Sequence, residues 1–247
     1  MGQTVTILGV EVSSRTMAET VEEALRLMGC RRGQIVTANA EILYTAHRDK
    51  DFYAVLRQAE LITADGMGAV LAARLLGHPV PERVSGYDLL LQLAGRAAER
   101  GLRVFLLGGK PGVAEKAALK LRALYPGLQI AGTRHGYFTD SEVAAVISEV
   151  TASSPDLLLA ALGLRGEFLL ARHKDALHCA SMQVGGSFDV LAGVAERAPL
   201  YLQRAGLEWA FRLYKEPWRY KRMLSLPKFI VTVLLTRSQR QEREVKK

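Results

Sequence analysis

At least five times along this chain a short apolar run meets a break of glycine or small polar residues and then a segment with helical spacing. The runs lie at 34–37, 61–64, 102–107, 156–162 and 182–184, and helical segments follow at 41–48, 69–76, 113–124 and 168–174. Residues 156–162 are the most apolar run of the body, as expected for a strand covered on both faces. Strands alternating with helices predict a parallel sheet with helices on either side. The expectation is therefore a Rossmann-like α/β fold, opened by a strand at 5–10 and a helix at 18–28. No sequence repeat accompanies the pattern, which removes solenoids.

Of 247 residues, 49% are apolar, enough for one large core and too many for a disordered chain. Two cysteines without CxxC spacing and five histidines without HExxH spacing predict no disulfide frame, no structural metal and a reducing compartment. No charged-then-apolar leader and no run of about 18 apolar residues is present, so neither export nor a helical membrane span is expected.

Charge divides the chain. From Arg204 onward twelve basic residues face four acidic ones, so this tail carries the whole net charge of +8 and residues 1–203 sum to zero. The expected organisation is an α/β domain at 1–203 and a basic helical appendage at 204–247. Such a tail meets an anion, either nucleic acid or an anionic membrane surface. Leu207, Ala210, Phe211 and Tyr214 share a helix face that Pro217 ends. A second helix begins at Trp218, Pro227 interrupts again, and 229–235 is apolar but too short to span. Aromatics, arginines and short apolar runs together fit a segment lying in a membrane interface. The plainer reading is an amphipathic helix packed on the body. The tail holds no nucleic-acid recognition motif, so nucleic acid is not an expected partner. Self-association into a homo-oligomer stays open.

The polar residues that could do chemistry cluster where strands end. Leu61-Ile-Thr-Ala-Asp65-Gly-Met-Gly68 reads as strand, tight turn and helix, with Asp65 at the sheet mouth where such folds bind ligands. Gly66 and Gly68 permit positive φ and close approach to a ligand, while the bland reading makes Asp65 a helix N-cap. Thr37 and Asn39 end another strand and either hold a hydroxyl-rich ligand or cap the next helix. Arg83, before a helix that Ser85 caps, suits a diphosphate. Gly108-Gly109-Lys-Pro-Gly112 brings backbone N–H groups to a helix N-terminus, a place for phosphate or ribose. It is neither GxGxxG nor Walker A, which argues against a dehydrogenase and a P-loop NTPase. Tyr137 could stack on a base.

Taken in order, Thr37-x-Asn39-x-Glu41, Asp65-Gly-x-Gly68, Glu82-Arg83-Val-x-Gly86-x-Asp88, Gly108-Gly109, Gly136-Tyr-Phe138, Gly185-Gly186-Ser-Phe-Asp189, Arg197-Ala-Pro199 and Glu208-Trp-x-x-Arg212 through Glu216-Pro-x-Arg219-x-x-Arg222 resemble the WecG/TagA/CpsF glycosyltransferases. The resemblance implies a bacterial enzyme that moves a sugar, with inversion, from a UDP-sugar to a polyprenyl-diphosphate-linked sugar. In the teichoic-acid branch these are UDP-N-acetylmannosamine and undecaprenyl-diphosphate N-acetylglucosamine. It implies Asp65 as general base. It makes Thr37, Asn39, Arg83, Gly108, Gly109, Tyr137, Gly185, Gly186 and Asp189 substrate-binding, and Arg212, Arg219 and Arg222 ligands of the lipid diphosphate. It places the protein in the cytoplasm, peripheral on the inner membrane face. With no DxD motif, a metal-independent transfer without cofactor is expected. One stretch departs: Gly163-Leu-Arg-Gly-Glu167 stands where the family carries Gly-x-Pro-Lys-Gln-Glu. A non-catalytic nucleotide-sugar-binding module, or a donor such as UDP-N-acetylmannosaminuronic acid, UDP-glucose or UDP-galactose, remains the alternative.

Overall fold

The computed structural model describes residues 4–78, 80–217, 220 and 224–245, with side chains up to 237. The strands are β1 (Thr4–Ile7), β2 (Val10–Ser13), β3 (Gly33–Ala38), β4 (Leu61–Ala64), β5 (Arg103–Gly108), β6 (Gln129–Arg134), β7 (Leu157–Ala161) and β8 (Ala180–Gln183). They form one sheet in the order β1-β2-β4-β3-β8-β7-β5-β6. Every pairing is parallel except β1 with β2.

That exception corrects the first expected strand. Residues 5–10 do not run straight: Leu8 (φ 50) and Gly9 (φ 90) turn the chain back, so Ile7 pairs with Val10 in a hairpin. Two consecutive positive φ values suit a two-residue hairpin turn. The Tyr53 hydroxyl donates to the Gly9 carbonyl at 3.1 Å and holds the turn down.

Alternation along the strands sorts side chains onto two faces. Ile35, Leu61, Leu106, Leu159 and Met182 join the core under α1 (Met17–Gly29), α5 (Gly86–Arg100), α6 (Val113–Leu124) and α10 (Ser187–Leu191). Their neighbours Val36, Ile62 and Ala64 face α2 (Ala40–Arg48), α3 (Lys50–Leu56) and α4 (Gly66–Leu75). Phe105, Leu107 and Leu158 face α7 (Val143–Ala152), α8 (Leu164–Arg172) and α9 (Lys174–Leu177). Runs that are apolar without a break are thus buried from both sides, as a parallel sheet requires.

The tail comprises α11 (Leu200–Arg204), α12 (Glu208–Lys215) and α13 (Ser225–Val245). Pro227 opens α13 instead of interrupting it, because a first-turn residue has no intrahelical partner for its nitrogen. The run 229–235 packs on the body with one face. Phe229 and Val233 are 0% and 1% exposed, in the same core as Leu43, Ala69 and Ile62, and α13 lies on α2 and α4. Val231, Leu234 and Leu235 face outward. The packed-helix reading therefore describes this run better than immersion in an interface. Among the described residues, no helix is long and apolar enough to cross a membrane.

Candidate active site

The carboxyl ends of β4, β3, β8 and β7 open into a cavity of about 280 Å³. The chain leaves β3 toward β4 on one side, and returns on the other only with β8. Ligand crevices form at such a reversal, because the loops on either side diverge. The walls come from Thr37, Asn39, Asp65, Ser85, Gly163, Glu167, Gln183 and the Gly185-Gly186 turn. Arg197, Glu208, Trp209 and Arg212 line it from the tail side.

Asp65 follows β4, with its backbone N–H held by the Ala38 carbonyl at 3.0 Å. It occupies the N-cap position of α4 but makes no side-chain cap bond. Its Oδ2 instead accepts the N–H of Gly86, first residue of α5, at 3.4 Å. Burial pushes the carboxyl up to about 6, against the pull of that N–H and of Arg83 and Arg212, and with a push from Glu208. Desolvation disfavours the charged form, and here it outweighs two nearby cations. A carboxyl that titrates near neutrality inside a cleft is suited to proton transfer.

Of the glycines around it, Gly68 and Gly86 serve packing, while Gly66 serves the turn. Gly66 has φ +75, but Gly68 is ordinary helix, and a Cβ there would lie 2.8 Å from Leu226 and 2.9 Å from Ala40. Gly86 is bare because a Cβ would meet Thr37 Oγ1 at 2.8 Å. The Asn39 Oδ1 caps α2 by accepting the Ile42 N–H at 3.0 Å, and the residue also lines the cavity.

Arg83 lies beside Asp65, but its guanidinium is ion-paired to Glu208. Gly108 and Gly109 stand outside the cavity, on the same carboxyl edge but two strands from β8. Gly108 (φ +137) is required there by the Ala161 carbonyl oxygen, 2.4 Å from where a Cβ would be. Tyr137 is 64% exposed and also outside. Gly185 and Gly186 line the cavity, whereas Asp189 sits a turn into α10 and does not. Arg212 lines the cavity. Arg219 and Arg222 lie outside the described residues.

Several lining residues carry no assigned role in the sequence reading, though Glu167 and Arg197 fall in stretches it quotes. The stretch 163–167, read as a loop before a helix at 168, is the first turn of α8, and Glu167 points inward at 1% exposure. Its Oε2 accepts Gln34 Nε2 at 2.7 Å, and burial pushes its carboxyl up to about 7. Gly166 misled because it is bare for packing: a Cβ would collide with the Gln183 amide at 2.0 Å. Gln183 in turn accepts the Leu162 N–H at 3.2 Å and donates to the Gly163 carbonyl. Arg197 stacks 4.5 Å from the Tyr87 ring centroid and pairs with Asp88 at 2.7 Å.

Fold and cavity together define an α/β protein with a polar crevice at the carboxyl edge of its sheet, lined by carboxylates, amides and two arginines. Within that class the chain belongs to the glycosyl transferase WecG/TagA/CpsF family, whose model matches residues 5–243. It is 38% identical over 202 residues to the N-acetylglucosaminyldiphosphoundecaprenol N-acetyl-beta-D-mannosaminyltransferase of Bacillus subtilis, covering 81% of this chain and 78% of that one. The protein of the same description from Bacillus spizizenii matches at 38% with the same coverage.

Proposed function

We propose that this glycosyltransferase moves N-acetylmannosamine from a UDP-sugar to undecaprenyl-diphosphate-linked N-acetylglucosamine, inverting the anomeric centre, with Asp65 as the base. The carrying observation is Asp65 itself: a carboxyl raised to about 6 that lines one cavity together with Arg197 and Arg212. An acceptor hydroxyl attacks the anomeric carbon while Asp65 takes its proton. The bond from that carbon to the UDP oxygen breaks, and its electron pair stays on the diphosphate. A direct displacement of this kind inverts the centre. The charge developing on the leaving group needs positive groups nearby, and the body arginines Arg83 and Arg197 are at hand. Thr37, Asn39 and Gln183 offer hydroxyl and amide groups to sugar hydroxyls.

The lipid half of the acceptor argues for work at an anionic membrane surface on the cytoplasmic side, where UDP-sugars are found. Exposed Leu200, Tyr201, Tyr214, Leu234 and Leu235 and the basic tail support such docking. Arg212, with Arg219 and Arg222 further along, then receives the lipid diphosphate. The test is a donor panel with an undecaprenyl-diphosphate N-acetylglucosamine analogue, following UDP release. Release with UDP-N-acetylmannosamine is expected, and release only with another donor would reassign the sugar. Silence with every donor and acceptor, while UDP still binds, would leave a binding module in its place.

A further inference from the structure

The tail reaches the cavity through one carboxylate. Glu208, first residue of α12, pairs with Arg83 through Oε2, and its Oε1 lies 3.7 Å from Arg197 Nε. Both arginines belong to other elements: Arg83 precedes α5 and Arg197 follows α10. Arg197 is itself fixed, by Asp88 and by its stacking on Tyr87. The three charged side chains are about four-fifths buried, so water screens them less than at an open surface. An acid in the first turn is also favoured by the α12 dipole.

One helical turn later comes Arg212, on the same face of α12 as Glu208. It lines the cavity and its charge is felt at Asp65, yet its guanidinium makes no hydrogen bond or close ion pair among the described residues. Its position therefore depends on how α12 is held. Two further attachments lie nearby: at the end of α12 Lys215 pairs with Glu196 at 2.8 Å, an exposed pair worth little, and before α12 Gly206 (φ +72) packs so tightly on Met67 that a Cβ would lie 2.2 Å from Met67 Cγ. Met67 is two residues from Asp65. A contact that fixes the linker and an ion pair that fixes the helix start together determine where Arg212 stands relative to Asp65.

We infer that Glu208 is a positioning residue: a two-armed clasp, on Arg83 and Arg197, that holds α12 across the cavity and keeps Arg212 over Asp65. Its role in turnover rests on the function proposed above, but its role in docking α12 does not. The clasp also ties up Arg83 and Arg197 as long as it is closed. Opening it leaves those two arginines on the body and takes Arg212 away.

The test uses the full chain and Glu208→Gln. Hydrogen exchange of residues 208–215, measured without substrate, is expected to quicken at least about tenfold while β3, β4 and β8 keep their protection. UDP affinity should hold or tighten, since the body arginines lose a competing carboxylate. Turnover with the lipid-linked acceptor analogue should fall about tenfold or more. The double change Glu208→Gln, Arg212→Ala should be within about twofold of Arg212→Ala alone, because residues acting through one another are not additive. Glu208→Asp keeps the charge but is too short for both arms, and should show intermediate exchange. Unchanged exchange in the Gln variant, wild-type exchange in the Asp variant, or fully multiplicative losses in the double variant would each overturn the clasp. So would UDP affinity falling in step with turnover, which marks general damage to the cavity. A wild type that binds UDP but turns nothing over would strike the proposed function and leave the exchange result to judge the clasp.

Discussion

The Asp65 carboxylate accepts its hydrogen bond not from its own helix but from the backbone N–H of Gly86, 21 residues later, at 3.4 Å. The acid is thereby aimed across the cavity toward the start of α5, and the capping role that sequence alone allowed it is left unused. A long single bond does little to offset burial, which is why its titration lies near neutrality.

Activity should follow that titration. A base works only when deprotonated, so kcat/KM is expected to fall as pH drops through about 6. Burial sets this limb, drawn back by the Gly86 N–H, Arg83 and Arg212 and helped by Glu208. Asp65→Asn should lose about 10²–10⁴-fold in turnover, abolish the limb and keep UDP affinity. Wild-type rates in the variant would remove Asp65 from the chemistry.

The same carboxyl should cost stability. Its native pKa is raised from 3.8 to about 6, so the folded state binds the proton more tightly than the unfolded chain. Stability therefore declines as pH rises from about 4 to about 6 and levels off above. Asp65→Asn should be the more stable protein at pH 8, by on the order of 1–3 kcal/mol, with the gap closing below pH 4. The lower part of that range is expected, because the side chain keeps some contact with solvent in the cavity. Urea denaturation at both pH values measures it, and a variant less stable at pH 8 would contradict the burial argument.

Truncation tests a different part of the molecule. The sequence suggested a body complete by residue 203, because the strand-helix pattern stops before it and the charge begins after it. Packing does not stop there: Phe229 is fully buried against the core of α2 and α4. Phe229→Ala should cost about 3–5 kcal/mol. Removing everything after Gln203 should cost more and bare an apolar face. An unchanged melting temperature for Phe229→Ala would mean that α13 does not hold its docked position.

What was legible in the sequence follows from what is local. Helix 113–124 was predicted to the residue, since a glycine turn opens it and apolar spacing runs its length. Strand order was not legible, because β8 inserts between β3 and β7 through contacts far apart in the chain. The edge hairpin hid because Leu8, at positive φ, is not a turn-forming residue type. Asp65 could be found because strand end, glycine and carboxylate are adjacent in the chain. Glu208 meets Arg83 only after 125 residues of chain have folded, and no spacing announces such a pair.

Glu167 supplies the last prediction, and it concerns a residue whose surroundings look like a loop in sequence. Its carboxyl is almost wholly buried beneath the cavity, where, among the described residues, Gln34 Nε2 donates to it at 2.7 Å. One neutral donor does not replace the water an ionised carboxylate loses, so the acid form is favoured and titration moves from 4.5 up to about 7. The sign is that of Asp65: native binds the proton more tightly, and stability falls as pH climbs from about 4.5 through about 7. Glu167→Gln has nearly the same shape, keeps an oxygen for Gln34 Nε2 and never ionises. It should match wild type at pH 4 and exceed it at pH 8.5 by on the order of 2–3 kcal/mol. Because Asp65 is unchanged in both proteins, its own titration cancels in the comparison. A gain that is the same at both pH values would trace to packing alone. No gain at pH 8.5 would mean the carboxylate is solvated by water from the cavity, and Glu167 would then face ligand as an anion, repelling a diphosphate instead of donating a proton to a sugar oxygen.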